Sequence, residues 1–348
     1  MDAAYRLQEQ VRHAAVDRQP LRIRGGGTRG HLCANLAAEA RTLEVGEHCG
    51  LVAFEPNELV LTARGGTRLD DIEATLAEAG QMLPFDPPRF GTGSTLGGAI
   101  ASGLAGPGRP WYGAARDAVL GVKLLDGRGE IGRFGGEVMK NVAGYDVSRL
   151  NAGAFGALGV LLDVSLRVLP VPQQVETRVL EMELPAARMR MLELARAPLP
   201  LTGLAWEAGR LWVRLAGSAA GIDAVRARLG GERAIDDFWT GLRDQNLPFF
   251  HESANLWRLS LPVTAPEPDL AGVWLLDWGG AQRWCRTDVE PSQVFAAAAA
   301  CGGHAMRVRP DCVRTPLAPG IRVLHERIKR VFDPAGILNP GVLYPDLV

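Results

Sequence analysis

The sequence predicts an α+β fold in two domains, and three observations support this prediction. A chain of 348 residues is longer than one small hydrophobic core normally organises. The densest glycine clusters fall in the first half of the chain, between short strand-like and helical stretches. Seven of the eight tryptophans lie between Trp206 and Trp284, where strand-like alternation is followed by helical periodicity. The two parts therefore differ in character, and we expect a domain boundary between them.

The densest glycine cluster lies within residues 86–108, with seven glycines from Gly91 to Gly108. Glycine is conformationally costly unless the backbone takes a positive φ or approaches a ligand closely, so this density indicates a path shaped around a bound group. After Thr95 the residues become small and apolar. We expect a capped helix there, with its first N–H groups open to an anion such as a diphosphate. The alternative is a mobile Gly/Ala loop.

The first glycine cluster in chain order follows a short strand predicted at residues 21–23. Gly25, Gly26 and Gly27 are consecutive. Successive backbone N–H groups form a nest suited to phosphate oxygens, and nearby arginines would balance the charge. The spacing matches neither the GxGxxG dinucleotide fingerprint nor the Gly-Lys-Ser/Thr of a Walker A loop. The cluster therefore predicts phosphate binding without either of these two folds.

Periodicity predicts the elements around these clusters. We expect a helix over residues 3–16, strands near 21–24, 42–45 and 59–63, and buried strands over 119–125 and 159–169. A further helix starts after Thr67, which with Asp70 resembles a capping box, and ends at Gly80 as a C′ glycine. Its apolar stripe is Leu69, Ile72 and Leu76.

Pro170 and Pro172 end this region, and we place the domain boundary there. Beyond it, strands near 180–184 and 211–215 are each followed by a helix, over 185–196 and 218–229, which predicts an α+β cap. Its tryptophans either pack in the core, the commoner role, or line a pocket or partner surface. The spacing of Ile321, Leu324, Ile328 and Val331 predicts a last helix that ends at Pro334. The predicted domains are 1–171, 172–310 and a returning segment 311–348.

Composition excludes several classes of protein and site. The 38 basic and 39 acidic residues give a net charge of −1, which offers no electrostatic case for binding nucleic acid. Five cysteines without a CxxC pair suggest neither a disulfide framework nor a zinc or iron–sulfur site, and fit a reducing cytosol. No apolar run is long enough for a signal peptide or a membrane span. We therefore expect a cytoplasmic protein that reaches a membrane only through other subunits.

Two glycine-rich loops in this order resemble the flavin-binding domain of the vanillyl-alcohol oxidase / p-cresol methylhydroxylase (PCMH-type) family. Residues 140–146 (KNVAGYD) and 153–160 (GAFGALGV) are similar to a run found in its D-lactate and glycolate dehydrogenase branch. Residues 332–341 (FDPAGILNPG) are similar to the closing signature of the family. Length and local sequence resemble most the FAD-binding E subunits of bacterial glycolate dehydrogenases (glycolate oxidases). The resemblance implies a PCMH-type FAD-binding domain of two subdomains with a smaller α+β cap.

The resemblance also implies which residues bind FAD. The loops would hold the diphosphate, residues 156–160 would lie by the adenosine end, and the C-terminal segment would approach the flavin. The predicted residues are Arg24, Gly25, Gly26, Gly27, Thr28, Arg29, Asp86, Gly91, Gly93, Ser94, Thr95, Gly97, Gly98, Ala101, Ser102, Gly113, Arg116, Gly156, Gly159, Val160 and Asn339.

Covalent members of the family attach the flavin to a histidine in an R-x-G-G-H loop, and Thr28 stands at the matching position here. His31 lies three residues further on, and an ordinary surface or packing role is its commoner interpretation. We therefore expect non-covalent FAD. Arg29 replaces a glycine that is usual in the branch, so the path of this loop is not fixed by the resemblance.

A second departure concerns catalysis. Hydroxyacid dehydrogenases of this branch carry an H-x-G-D-G-N-x-H segment, and here the six histidines occur singly, outside such a context. Oxidation of a hydroxyacid needs a base or metal for the hydroxyl proton. Tyr112, Arg116, Lys140, Tyr145, His251 and Arg309 are candidates, but each has an ordinary structural role open to it, so the catalytic residues stay unassigned and no metal is expected.

The resemblance implies a subunit that binds FAD and relays electrons between a catalytic FAD subunit and an iron–sulfur subunit of a glycolate dehydrogenase complex. One alternative is a stand-alone FAD-dependent 2-hydroxyacid dehydrogenase of the D-lactate kind. Another is a scaffold subunit that has kept the fold and lost redox activity, against which the intact glycine loops argue.

Overall fold

The computed structural model describes residues 3–33, 39–136, 145–234 and 237–347. Helices and strands are mixed along the chain, which confirms the predicted α+β class. The helices are α1 Ala3–Asp17, α2 Leu69–Glu78, α3 Leu96–Ser102, α4 Arg109–Tyr112, α5 Ala115–Ala118, α6 Val147–Asn151, α7 Leu184–Arg196, α8 Ala219–Leu229, α9 Phe238–Asp244, α10 Pro291–Ala300 and α11 Pro319–Phe332.

The strands carry most of the long-range pairing. They are β1 Leu21–Arg24, β2 Arg41–Glu44, β3 Leu51–Glu55, β4 Val60–Arg64, β5 Gln81–Met82, β6 Val119–Leu125, β7 Ile131–Gly135, β8 Val160–Arg167, β9 Leu169–Pro170, β10 Gln174–Glu181, β11 Leu201–Glu207, β12 Arg210–Gly217, β13 Glu232–Ala234, β14 Leu256–Ser260, β15 Val273–Asp277, β16 Gln282–Arg286, β17 His304–Arg309 and β18 Val313–Arg314.

The chain forms two compact units. Unit 1 comprises residues 1–105, 114–170 and 316–348, and unit 2 comprises residues 106–113 and 171–315. The short segment 106–113, which carries α4, groups with unit 2 although it lies far from the rest of that unit in sequence. The domain limits given above from the sequence stay predictions.

Unit 1 is built on a five-stranded antiparallel sheet in the order β3-β4-β8-β6-β7. Its core is formed by the sheet with the buried faces of α2 and α3, as the apolar stripe of Leu69, Ile72 and Leu76 predicts. A parallel pair, β1 and β2, packs with α1 in a second cluster. This pair matters for the site because β1 leads directly into the first glycine cluster.

The predicted elements of unit 1 are confirmed, with one wrong detail. Gly80 has φ +67° and follows the last turn of α2, as a C′ glycine does. The capping box is not formed, because the N-cap of α2 is Arg68 and makes no side-chain cap. Thr67 is used elsewhere: its hydroxyl accepts from Gly50 N at 2.9 Å and donates to Gly50 O at 3.1 Å.

Unit 2 is built on a nine-stranded antiparallel sheet in the order β13-β10-β12-β11-β15-β16-β14-β17-β18. Helices α7 and α8 follow strands as predicted. Six of the seven tryptophans from Trp206 to Trp284 are buried, and Trp274 is half-buried. The expectation that these rings mainly pack in the core is therefore confirmed.

The last helix, α11, belongs to unit 1. Its periodicity is as predicted, but Ile321, Leu324 and Val331 are 48–59% exposed. The buried residue of α11 is instead Lys329, whose ammonium donates to Asp333 Oδ2 at 2.6 Å, Ala157 O at 2.9 Å and Leu338 O at 2.8 Å. No helix in the described ranges is long and apolar enough to cross a membrane.

Candidate functional site

A cavity of about 320 Å³ lies in unit 1, where the glycine-rich segments meet. It is lined by Arg22, Ile23, Arg24, Gly25, Gly26, Gly27, Thr28, Arg29, Gly30, Cys33, Thr42, Val45, Gly65, Thr95, Gly97, Gly98, Ala101, Ser102, Phe155, Gly156, Gly159, Val160, Leu161 and Asn339. The lining thus draws on the first cluster, on α3, on the start of β8 and on the C-terminal segment.

The first glycine cluster supplies backbone donors. Val45 N donates to Arg24 O at 2.8 Å and keeps the end of β1 in line with β2. Beyond this point the N–H groups of Gly25, Gly26, Gly27 and Thr28 make no hydrogen bond with any residue that the structure describes. Gly26 and Gly27 are exposed and Gly25 and Thr28 are half-buried, so four consecutive amides without a protein acceptor are available at the cavity as a nest for anionic oxygens. This cradle fits the diphosphate of a dinucleotide cofactor.

The two glycine clusters touch through their backbones. A Cβ on Gly26 would lie 1.7 Å from Gly93 O, and one on Gly25 would lie 2.4 Å from the hydroxyl oxygen of Thr95. Both distances are far below van der Waals contact, so a side chain at Gly26 would displace the backbone of the opposite segment, and one at Gly25 would displace the Thr95 side chain. The glycines of the first cluster are therefore required for the close approach of the second.

Arg29 joins the two clusters through its side chain. The guanidinium donates to Ser94 Oγ at 2.7 Å and to Ser102 Oγ at 3.2 Å, and it also donates to Pro88 O. It lies against the Phe90 ring, with Cζ 5.8 Å from the centroid, and is 9% exposed. Arg29 thus fixes the loop and brings a positive charge to the cavity wall.

The N-terminus of α3 is capped as predicted but is not open to an anion. Thr95 is the N-cap, and its hydroxyl accepts from Gly98 N at 3.3 Å. However, Leu96 N donates to Thr67 O and Gly97 N to Gly65 O, both at 2.8 Å. The expectation of free N–H groups here is wrong, because the backbone of the β4–α2 turn already accepts from them.

Asn339 connects the C-terminal segment to two other parts of the lining. Its Oδ1 accepts from Ile23 N at 2.7 Å, and its Nδ2 donates to Phe155 O at 2.7 Å. The residue is 5% exposed and has φ +42°, a conformation that asparagine tolerates better than most residues. A Cβ on Gly156 would lie 2.8 Å from Asn339 Nδ2, so the two positions pack directly. Asn339 therefore shapes the cavity by fixing two backbone segments.

Most of the FAD-binding residues predicted from the sequence line this cavity. They are Arg24, Gly25, Gly26, Gly27, Thr28, Arg29, Thr95, Gly97, Gly98, Ala101, Ser102, Gly156, Gly159, Val160 and Asn339. The structure does not bring Asp86, Gly91, Gly93, Ser94, Gly113 or Arg116 to the lining. Gly93 and Ser94 lie behind it, against Gly26 and Arg29. Arg116 is exposed, and Gly113 belongs to unit 2.

Several lining residues were not predicted. They are Arg22, Ile23, Gly30, Cys33, Thr42, Val45, Gly65, Phe155 and Leu161. Gly65 could have been found, because Gly65 and Gly66 form a glycine pair directly after β4. A Cβ on Gly65 would lie 2.2 Å from Leu161 O, and one on Gly97 would lie 2.8 Å from Gly65 O. Gly97 is therefore required by a neighbouring backbone. Phe155 lies within the GAFGALGV run, and Arg22, Ile23 and Gly30 flank the first glycine cluster. The others, Cys33, Thr42, Val45 and Leu161, carry no distinctive signal in the sequence.

None of the catalytic candidates that the structure describes lines the cavity. Tyr112 and Arg309 belong to unit 2, as does His251, which is exposed, and Tyr145 is 97% exposed. Lys140 and the rest of residues 137–144, including most of the KNVAGYD run, lie outside the described residues. His31 is exposed, with its ring edge-on to Phe90 at 5.0 Å between centroids. Where the structure describes the chain, no group of three His, Cys, Asp or Glu side chains could hold a metal ion.

Comparison with known proteins identifies the first part of the chain. Residues 3–135 match the model of an FAD binding domain. The chain is 46% identical over 347 residues to "Glycolate oxidase subunit GlcE" of Escherichia coli K12, covering 99% of each chain. It is 31% identical over 162 residues to "Glycolate oxidase subunit GlcD" of Bacillus subtilis 168, a match that covers 46% of this chain and 34% of that relative.

A solved structure extends the likeness over both units. An alkyldihydroxyacetonephosphate synthase aligns with a TM-score of 0.67 at 15% identity, covering 96% of this chain and 74% of that one. At this identity the likeness shows the fold alone. With the FAD binding domain match, it confirms the predicted PCMH-type fold class.

Proposed function

The chain belongs to the family of glycolate oxidase subunit GlcE, and from this premise we propose that it is the FAD-binding subunit of a glycolate dehydrogenase complex. Its part in that complex is to relay electrons between a catalytic FAD subunit and an iron–sulfur subunit. The observation that carries the proposal is the cavity of unit 1, with four consecutive backbone amides of residues 25–28 that have no acceptor in the described part of the protein.

The residues of the cavity suit the parts of FAD. Gly25, Gly26, Gly27 and Thr28 would bind the diphosphate through their amides, and Arg29 would offset its charge. Asn339 would hold the C-terminal segment against the cofactor. Bound FAD supplies the redox chemistry, because its ring system accepts and donates electrons.

The flavin is held without a covalent bond. Thr28 lines the cavity at the position where covalent members of the PCMH-type family have histidine, and His31 is not part of the lining. Precipitation of the holoprotein with acid should release all the flavin into the supernatant. Yellow colour retained in the washed pellet would contradict this, and the Cys33→Ser variant would then show whether the thiol of Cys33, which lines the cavity, forms the bond.

Two observations support a relay rather than independent oxidation of substrate. The chain lacks the H-x-G-D-G-N-x-H segment by which the related dehydrogenases hold their hydroxyacid. None of the candidate bases within the described residues lines the flavin cavity. A chain that keeps the cofactor site but lacks such a segment is expected to exchange electrons with partner subunits rather than with a hydroxyacid.

The partners can be tested directly. The tagged chain, produced in its native host with untagged neighbours, should co-purify with a second flavoprotein and an iron–sulfur protein. We expect more than one flavin per copy of this chain and several iron atoms in the complex. A chain that purifies alone, with one flavin and no iron, would contradict the proposed assembly.

A further inference from the structure

One face of the sheet in unit 2 carries an aligned set of basic side chains. Arg258 on β14 is in register with Met306 on β17, and Met306 is in register with Arg314 on β18. Residues directly opposite on neighbouring strands project from the same face. His304, two residues before Met306, and Gln282, which pairs with Ser260, share that face. We call Arg258, Gln282, His304, Met306 and Arg314 the basic face; the buried ring of Trp284, directly opposite Arg258 on β16, lies beside them on the same face.

The opposite face of the same strands is an ordinary core. Trp257 and Leu259 on β14 are buried there with Val294 and Ala298 of α10. Arg307 also lies on this opposite side, since it is adjacent to Met306 and in register with Trp257, and its Cζ is 5.7 Å from the Trp257 ring. The two faces of β14 therefore have different chemistry, and the need to pack α10 does not explain the charges on the basic face.

Arg258 is held in place by only one edge of its guanidinium. Its Nε donates to Gln282 Oε1 at 2.6 Å, and its Cζ lies 5.3 Å from the centroid of the Trp278 ring. The two Nη atoms donate to no residue within the described ranges, and the side chain keeps partial exposure. A guanidinium fixed at Nε presents the other two nitrogens as a fork, which matches the two oxygens of a carboxylate.

Positive charge exceeds negative charge around this fork. The Cζ of Arg109 lies 4.5 Å from the centroid of the same Trp278 ring. Asp277 is the acidic neighbour, and its carboxylate accepts from Trp278 N at 2.7 Å and from Gln282 Nε2 at 3.2 Å. Burial, together with the smaller effects of the Arg109 and Arg314 charges, lowers the pKa of Arg258 to about 10 against the opposing effect of Asp277. Burial and the charge of Arg258 also lower the pKa of His304.

We propose that the basic face binds the carboxylate of a small organic acid, with Arg258 as the bidentate donor and Arg314 and Arg109 contributing positive potential. A carboxylate fits both the open fork and the excess of positive charge. The site consists of residues of unit 2 and does not depend on the proposed electron relay. Its ligand would bind to this chain whether or not the chain oxidises it.

Calorimetric titration of the FAD-loaded protein tests the proposal. Sodium acetate and sodium glycolate are titrated at constant ionic strength, with sodium sulfate as a second anion. We expect saturable binding of both carboxylates and weaker binding of sulfate. Arg258→Met should weaken carboxylate binding roughly tenfold or more, and Arg258→Lys should weaken it less, because lysine keeps the charge without the fork.

Arg307→Met provides the matched control. It removes an arginine that also lies near a tryptophan ring, but from the opposite face of the sheet, and should leave carboxylate affinity unchanged. Flavin content and melting temperature show that each variant is folded. The proposal fails if the wild type shows no saturable carboxylate binding, if sulfate binds as tightly, or if the Arg258 and Arg307 variants lose the same affinity. Because acetate has no hydroxyl group to oxidise, these outcomes do not bear on the relay.

Discussion

The flavin cavity of unit 1 and the basic face of unit 2 collect polar groups in different ways. The cavity offers backbone amides of Gly25 to Thr28, held by the close approach of two glycine clusters. The basic face offers side chains, Arg258 and Arg314 among them, which strand pairing brings together from distant parts of the sequence. A backbone site depends on the absence of Cβ atoms, whereas a side-chain site depends on sheet register. The two sites should therefore respond to different substitutions.

The largest effect should come from Gly26→Ala. The new Cβ would lie 1.7 Å from Gly93 O, so the two clusters must separate and the amide nest must change shape. We expect the purified variant to contain little or no FAD, as measured from its absorbance spectrum, and carboxylate binding by unit 2 to persist.

Gly30→Ala is the control for this variant. Gly30 also lines the cavity, but a Cβ on it would meet no atom within 4 Å, and its φ is not positive. This variant should keep a full complement of FAD. If Gly26→Ala retained FAD with normal affinity, or if both variants lost it equally, the backbone account of the cavity would be wrong.

Asn339→Ala should have the next largest effect. It leaves Ile23 N and Phe155 O, both held at 2.7 Å, without their side-chain partner. Each of these part-buried hydrogen bonds should contribute about 1 kcal/mol, so the free energy of unfolding should fall by about that amount or more in urea titrations. FAD affinity should fall too, because both backbone segments line the cavity.

Asn339→Asp tests the two hydrogen bonds separately. The aspartate keeps an acceptor for Ile23 N but places a second oxygen against Phe155 O. We expect it to be no better than alanine. Wild-type stability in the aspartate variant would show that the bond to Phe155 contributes nothing.

The smallest effects should come from two matched helix caps, one in each unit. Thr95→Val removes the hydroxyl that accepts from Gly98 N at 3.3 Å, and Ser218→Ala removes the one that accepts from Gly221 N at 3.2 Å. Each should lower the free energy of unfolding by about 1 kcal/mol. Only Thr95→Val should weaken FAD binding. An equal loss of FAD affinity in Ser218→Ala would show that the two caps do not differ in their effect on the flavin cavity.

The difference between local signals and tertiary contacts explains which features the sequence predicted. Glycine clusters, the Thr95 cap and the apolar stripe of α2 are local signals, and each led to the correct element. The role of Arg29 could not be predicted, because its partners Ser94 and Ser102 are set by tertiary packing. The open N–H groups expected at α3 were wrong for the same reason: their acceptors come from a turn distant in sequence.

Strand register was the other missing information. The positions of Arg258 and Arg314 carry no motif, and only the pairing through Met306 shows that they share a face. Helical periodicity likewise predicted α11 but not its environment, since Ile321 and Leu324 remain about half exposed while Lys329 is buried with Asp333. Periodicity gives the type of an element, whereas the surface that it buries depends on its neighbours.

The central claim, that this chain holds FAD without oxidising glycolate itself, is tested most directly by flavin absorbance. The isolated holoprotein is mixed with excess glycolate in the absence of oxygen. We expect the absorbance of oxidised flavin to persist, and to bleach once the catalytic subunit of the complex is added. Rapid bleaching before that addition would contradict the claim and identify the chain as a dehydrogenase in its own right.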